Sequence, residues 1–231
     1  MKVYGGVYYN EDGLSTSIRA MNTQTKLFGM INENIIGYNK TGYQNKEAVV
    51  SSFAEILGAN AISSMQDHTP GRLTRTDKAL DLAISNEGFF QYLSPEGIKL
   101  TRDGRFQIDK SGNLITLEGE KVLSSSGEPL KFKKIPESPE DIKLSANGDF
   151  MVLNRETKEL EKIATIGVVS EKGHAIRKPD IKQGYVEASN VSLQSEFMKI
   201  LPIRRNFAAN RQVFIIQNNM LSQVIQQLSR S

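Results

Sequence analysis

Six apolar residues spaced by sevens constrain this chain more than any other feature. Leu193, Ile200, Phe207, Phe214, Leu221 and Leu228 recur at strict heptad intervals near the C-terminus. Seven residues make about two turns of α-helix, so the repeat lays one apolar column along a long helix. The positions four residues further on are Phe197, Arg204, Arg211, Asn218 and Ile225, apolar at the ends and polar between. Leu201, Ala208, Val213, Ile215, Met220 and Val224 widen the stripe past a two-helix seam, which predicts contact with several neighbours. The helix is expected within 187–231, capped by Asn190 or Ser192. Pro202 falls inside it and removes a backbone hydrogen bond at roughly 3 kcal/mol, so a kink or a restart is expected there.

A second stripe lies near the N-terminus. Leu14, Ile18, Met21, Thr25, Phe28, Asn32 and Ile35 alternate steps of four and three, predicting a helix over 14–36 that ends at Gly37. Gly29 lies inside it and weakens it by about 1 kcal/mol against alanine, so this helix needs a partner.

Between the two helices the texture changes. Short apolar runs at 82–84, 89–93, 98–102, 105–109, 113–117, 141–145, 149–153 and 160–169 alternate with turn residues. The breaks include Ser94-Pro95-Glu96-Gly97, Asp103-Gly104, Ser111-Gly112 and Ala146-Asn147-Gly148-Asp149. Asp-Gly between alternating runs predicts a hairpin, with the glycine at positive φ. The stretch 58–74 has no period and reads as linker. The expected fold is therefore α+β, an all-β domain inserted between paired terminal helices that form a coiled-coil-like polymerising core. The expected segments are 1–60 (N-terminal helix and polymerisation segment), 61–74 (linker), 75–186 (β-rich) and 187–231 (C-terminal helix). Stripes wider than one helix pair can cover predict self-assembly.

Composition removes several kinds of chemistry. The chain has no cysteine, which rules out disulfides, thiolate metal sites and cysteine nucleophiles. Its two histidines, His68 and His174, stand in loop-like contexts without a neighbouring ligand pattern. No P-loop, G-x-S-x-G, GxGxxG or HExxH pattern occurs. Asp103 reads as a turn residue rather than a catalytic acid, and Asp109–Asn113 lacks the ligand spacing of a calcium loop. Neither an enzyme nor a cofactor or metal site is expected. A net charge of +3 gives no strong field toward nucleic acid. The basic clusters Lys131, Lys133, Lys134 and Arg204, Arg205, Arg211 are expected in a solvated loop and in pairs with acids of neighbouring subunits, respectively. No long apolar run suggests a membrane span, and the N-terminus MKVYGGVYYNEDG lacks a secretory-signal pattern.

Four ordered motifs then carry a family resemblance. Ile31-Asn32-Glu33-Asn34-Ile35-Ile36-Gly37-Tyr38-Asn39-Lys40-Thr41-Gly42-Tyr43 resembles the N-terminal motif of flagellar rod and hook proteins, matching at Asn34, Asn39, Thr41 and Gly42, with Tyr43 for phenylalanine. Leu80, Asp81, Gly88, Phe89, Phe90, Thr101, Arg102, Asp103, Gly104 and Phe106 fall in a β-domain series resembling LDLAI, GFF and YTRDGSF. Gln183–Val191, containing Asn190, resembles QGYLEGSNV, and Arg205–Asn210 resembles RAYEAN. The resemblance implies a rod subunit of distal or proximal type, or alternatively a hook-type axial subunit. A non-flagellar β-rich binding module would need these ordered motifs to arise by chance. Asn34, Asn39, Thr41, Gly42, Tyr43, Asn190, Arg205 and Asn210, with Leu193, Phe197, Ile200, Phe207, Phe214, Leu221 and Leu228, are the candidate subunit contacts and family-motif positions. The implied partners are the chain itself, other axial proteins of rod and hook, the flagellar type III export apparatus, and the P- and L-ring proteins. The implied location is the basal-body rod crossing the periplasm, reached without a cleaved signal peptide.

Overall fold

The computed structural model describes residues 3–4, 7–8, 13–50, 62–132, 135–136, 138–153 and 159–229. Lys133 and Lys134 of the first basic cluster lie outside the described residues. The fold is α+β. Helix α1 spans Gly13–Gly37 and helix α2 spans Leu193–Leu228. Ser192 caps α2: it is extended, and its hydroxyl accepts from Ser195 N. Asn190 is engaged elsewhere. Residues 187–192 thus precede the helix, which starts at Leu193, the first residue of the heptad column, with Ser192 rather than Asn190 as its cap. α2 runs unbroken through Pro202, so the expected restart does not occur. Proline deprives the Met198 carbonyl of its helical donor, and both residues are exposed, where solvent can reach that carbonyl.

The chain folds as two compact units. The first comprises Met1–Ile36, Lys46–Gln66 and Ser192–Ser231. It holds α1, α2, the short pair β1 (Val3–Tyr4) and β2 (Val7–Tyr8), and the antiparallel pair β3 (Lys46–Val50) and β4 (Ile62–Gln66). The second comprises Gly37–Asn45 and Asp67–Val191.

The second unit is built of antiparallel strands. β5 (Leu73–Arg75), β6 (Leu82–Ile84), β7 (Phe89–Ser94), β8 (Gly97–Thr101), β9 (Gln107–Ile108), β10 (Leu114–Ile115) and β11 (Lys121–Val122) come first along the chain. β12 (Ile142–Leu144), β13 (Asp149–Leu153), β14 (Leu160–Thr165), β15 (Val168–Val169), β16 (Ile181–Gln183) and β17 (Tyr185–Glu187) follow. The largest sheet runs β15-β7-β11-β10-β9 with β8 also on β7, and β12-β13-β14 form a second sheet. β16 pairs with β6 and β17 with β5, which returns the end of the β region to its beginning. β4 and part of β5 occupy the stretch 58–74 that shows no sequence period.

Alternation along these strands sends apolar residues into one core containing Leu82, Ile84, Phe90, Leu114, Leu130, Phe132, Ile142, Phe150 and Ile166. Two aromatic pairs within it meet edge to face, Phe90 with Phe106 at 5.2 Å and Phe132 with Phe150 at 5.6 Å between centroids. The predicted turns at Gly112 (φ 83°) and Gly148 (φ 86°) are present, closing β9–β10 and β12–β13.

Asp103-Gly104 is not the hairpin that its sequence suggests. β8 pairs with β7, and β9 pairs with β10, so the dipeptide crosses between two pairings. Gly104 is absent from the positive-φ glycines. Its backbone instead lies against the Leu82 carbonyl, and a Cβ would overlap that oxygen. Gly104 O accepts from Leu82 N at 2.9 Å. Glycine is required here by close backbone approach rather than by a left-handed turn.

Candidate functional site

The first unit is inverted relative to an ordinary amphipathic helix pair. The buried positions of α1 are Ser17, Gln24, Ile31 and Asn34, with Gly37 at its end, and the buried position of α2 is Glu196. The predicted α1 stripe is rotated off this inner face: Ile18, Thr25, Phe28 and Asn32 are exposed, and Leu14, Met21 and Ile35 are half-buried. Each buried member of the column Ser17, Gln24, Ile31 precedes an exposed stripe residue by one, a rotation of about 100°. On α2, Leu193, Ile200 and Phe214 are half-buried, while Phe207, Phe197, Leu221 and Leu228 are exposed. Ile203, Asn210 and Gln217, three residues after the heptad column, are half-buried. Arg205 and Arg211 face solvent.

The reason for the inversion lies in what the polar side chains do. Ser17 donates to the Gly13 carbonyl at 2.7 Å. Asn34 clamps a strand: its Nδ2 donates to Lys46 O and its Oδ1 accepts from Lys46 N, both at 2.9 Å. The same Nδ2 reaches Glu196 Oε2 at 3.2 Å, and Glu196 Oε1 accepts from Lys199 Nζ at 2.5 Å. Lys46 Nζ meets Glu33 at 2.8 Å, which lowers the Glu33 carboxyl below its ordinary range. Sequence reasoning selected Asn34 but missed Glu196, which heads the inner column continued by Ile203, Asn210 and Gln217.

The motif residues of the second unit converge on the meeting point of segments 37–45, 67–71 and 185–190. Gly42 takes φ 66°, donates its N–H to Glu187 O at 2.7 Å, and leaves no room for a Cβ beside Arg102 and Asp103. The Tyr43 ring packs where a Cβ on Gly37 would lie. Asn190 Oδ1 accepts from Asn45 N at 2.6 Å, and its Nδ2 donates to Asp67 O and Thr69 O, both at 2.9 Å. Beneath this stitch Arg102 and Glu187 form an ion pair at 3.1 Å with both side chains almost fully buried. Glu187 also accepts from Gly71 N at 2.9 Å, and Arg102 donates to Ile84 O and lies 5.3 Å over the Phe89 ring. Burial raises the Glu187 carboxyl above its ordinary value, against the lowering pull of Gly71 N and Arg102. Asn39 is exposed and Thr41 half-buried.

The remaining motif positions shape the β unit. Thr101 Oγ1 accepts from Asp103 N at 2.9 Å. Asp103 grips the Arg105 guanidinium through both oxygens, at 2.9 and 2.6 Å. Asp81 bridges to Arg105 through backbone, and Leu80 packs against the core. Gly88 sits at φ 132° against Val168 and Ile176. His68 lies between Gln44 at 2.9 Å and Glu171 at 3.2 Å, its ring edge-on to Phe89. Among the described residues no group of three or more His, Cys, Asp or Glu side chains is placed to hold a metal ion. Asp109 turns inward on its own loop, accepting from Ser111 N and from Asn113.

Two helices that bury Ser17, Gln24, Asn34 and Glu196 and expose many large apolar side chains, with a β-rich unit between them in sequence, define the class of protein. Residues 83–152 match the D1 domain of flagellar hook protein FlgE/F/G, and residues 182–227 match the C-terminal region of flagellar basal body rod FlgEFG proteins. The chain belongs to the flagellar basal-body rod and hook protein family. It is similar to the flagellar basal-body rod protein FlgG of Bacillus subtilis, 25% identical over 88% of this chain and 94% of that relative. It also resembles FlgG of Buchnera aphidicola from Acyrthosiphon pisum, 28% identical over 73% of each chain. The rod protein FlgF of Mesorhizobium japonicum is 27% identical over 76% of this chain and 78% of its own length.

Proposed function

We propose that this chain is a structural subunit of the bacterial flagellar basal-body rod and assembles through its two helices. The observation that carries the reading is the helix surface. Phe197, Met198, Leu201, Val213, Ile216, Met220 and Val224 are all exposed on α2, while Ser17, Gln24, Asn34 and Glu196 are among the buried residues of the two helices. An exposed apolar surface of this extent marks a site of protein association. α1 and α2 act as a coiled-coil-like polymerising core, with the β unit as an insertion between them. Partners are further copies and other axial proteins of rod and hook, and the role is mechanical rather than catalytic. Delivery through the flagellar type III export apparatus, passage through the periplasm, and contact with the P- and L-ring proteins follow from the same reading. No helix among the described residues is long and apolar enough to cross a membrane.

The test is Phe207→Asp. Phe207 stands in the heptad column and, with Phe28 and Ile203, lines a cleft of about 260 Å³. An unpaired carboxylate in a packed interface costs about 3–5 kcal/mol. Cells making this variant at wild-type levels should lack complete rods and fail to swim. Normal swimming on normal rods would sink the reading.

A further inference from the structure

α2 carries two complementary surfaces on opposite sides. On one, Leu27, Met30, Ile31, Ala48, Pro202 and Ile203 line an open cleft of about 380 Å³. On the other, Phe197, Met198 and Leu201 form a ridge, more than half exposed at each position. At 100° per residue, the ridge points roughly opposite to the α2 positions that line the cleft. A cavity of about 150 Å³ accommodates a benzene ring, so the cleft has room for a Phe197 or Met198 side chain.

The charges beside the two surfaces also match. Lys46 and Lys199 at the cleft are neutralised by Glu33 and Glu196. Glu47, which also lines the cleft, is exposed and among the described residues has no ion-pair partner. Arg205 follows Leu201 by four residues, so it stands beside the ridge, exposed and likewise without a partner among the described residues.

We propose that the ridge of one copy plugs the cleft of a second copy, with Arg205 of the first pairing with Glu47 of the second. The inference rests on the rod reading and names the contact that reading leaves open. Ridge and cleft are different patches, so the contact is heterologous: each copy fills one neighbour and is filled by another, and the chain of contacts stays open.

The chain has no cysteine, so Ala48→Cys and Leu201→Cys introduce the only thiols. Basal bodies carrying the double variant should yield a ladder of covalent dimers, trimers and longer species on oxidation, and each single variant should yield none. As a second measurement, Glu47→Arg and Arg205→Glu should each reduce rod assembly about tenfold, and the two together should restore it. Rods that incorporate the double-cysteine variant yet give only monomer, or dimers from Leu201→Cys alone, would overturn the proposal. So would a charge-reversed pair that assembles no better than its single variants. If the wild-type chain is absent from purified rods, the rod reading itself fails and this contact falls with it.

Discussion

Glu187, inside the Gln183–Val191 motif, ties three segments of the β unit together. Its backbone carbonyl takes Gly42 N, one carboxylate oxygen takes Gly71 N, and the other takes Arg102. Arg102→Leu would strand a buried carboxylate, and a loss of about 3–5 kcal/mol is expected from the urea midpoint. Burial raises the Glu187 carboxyl, so the folded chain holds that proton more tightly than the unfolded chain does. Its contribution is greatest at low pH, where the group is protonated in both states. The contribution falls as pH rises from the unfolded carboxyl value of about 4.3 through the raised folded value. Glu187→Gln removes the titration but keeps only one of the two acceptor oxygens, so the variant should be less stable overall and its stability profile flatter across that window; an unchanged slope would refute the assignment. At Gly104 the constraint is steric. Gly104→Val drives a side chain into the Leu82 carbonyl, and a loss exceeding about 3 kcal/mol is expected. Asp103→Asn, which weakens a partly exposed grip on Arg105, should cost about 1 kcal/mol or less. Equal losses in thermal melts would show that the close approach is not the controlling feature.

Among the elements, the helices were legible in period and not in phase. Steps of three and four, with heptads, announce a helix, but several parallel columns on one helix share that spacing. Which column turns inward depends on Asn34 meeting Lys46 and Glu196, partners 12 and 162 residues away. The core strands were legible because turn residues bracket each alternating run, as at Gly112 and Gly148. The Asp103-Gly104 crossover was not, because the local signal for a hairpin is the same whether or not Leu82 lies beneath the glycine. Nor was the Arg102–Glu187 pair, whose members stand 85 residues apart on different strands. The phase argument makes Asn34 testable. Asn34→Ala removes both bonds to the Lys46 backbone and one to buried Glu196, so a loss of about 1–3 kcal/mol is expected. Amide exchange should quicken at Lys46 and along β3 while β7 and β13 are unaffected. Unchanged protection at Lys46 would show that the clamp carries nothing.

For the whole molecule, stability should be distributed unevenly. The β unit encloses an apolar core, whereas α2 leaves most of its apolar side chains in water. A helix that buries little gains little beyond its intrinsic propensity. Hydrogen exchange on the dilute full chain should therefore find α1 and α2 weakly protected and the strands β6, β7, β10 and β13 strongly protected. Strong protection of both helices at low concentration would contradict this distribution and weaken the case for a subunit completed by its neighbours. Protection of the helices should instead rise with protein concentration, because partners supply the missing burial.

The opposed ridge and cleft of α2 also bear on direction. A stack joined in this way has two unlike tips, one presenting a row of bare aromatic and thioether side chains, the other a row of vacant hollows. A factor that seals only one kind of tip would halt elongation there without touching the other. Growth polarity would then be written into each molecule before any template or cap arrives, since a copy offered in the reverse orientation meets like against like and has nothing to insert.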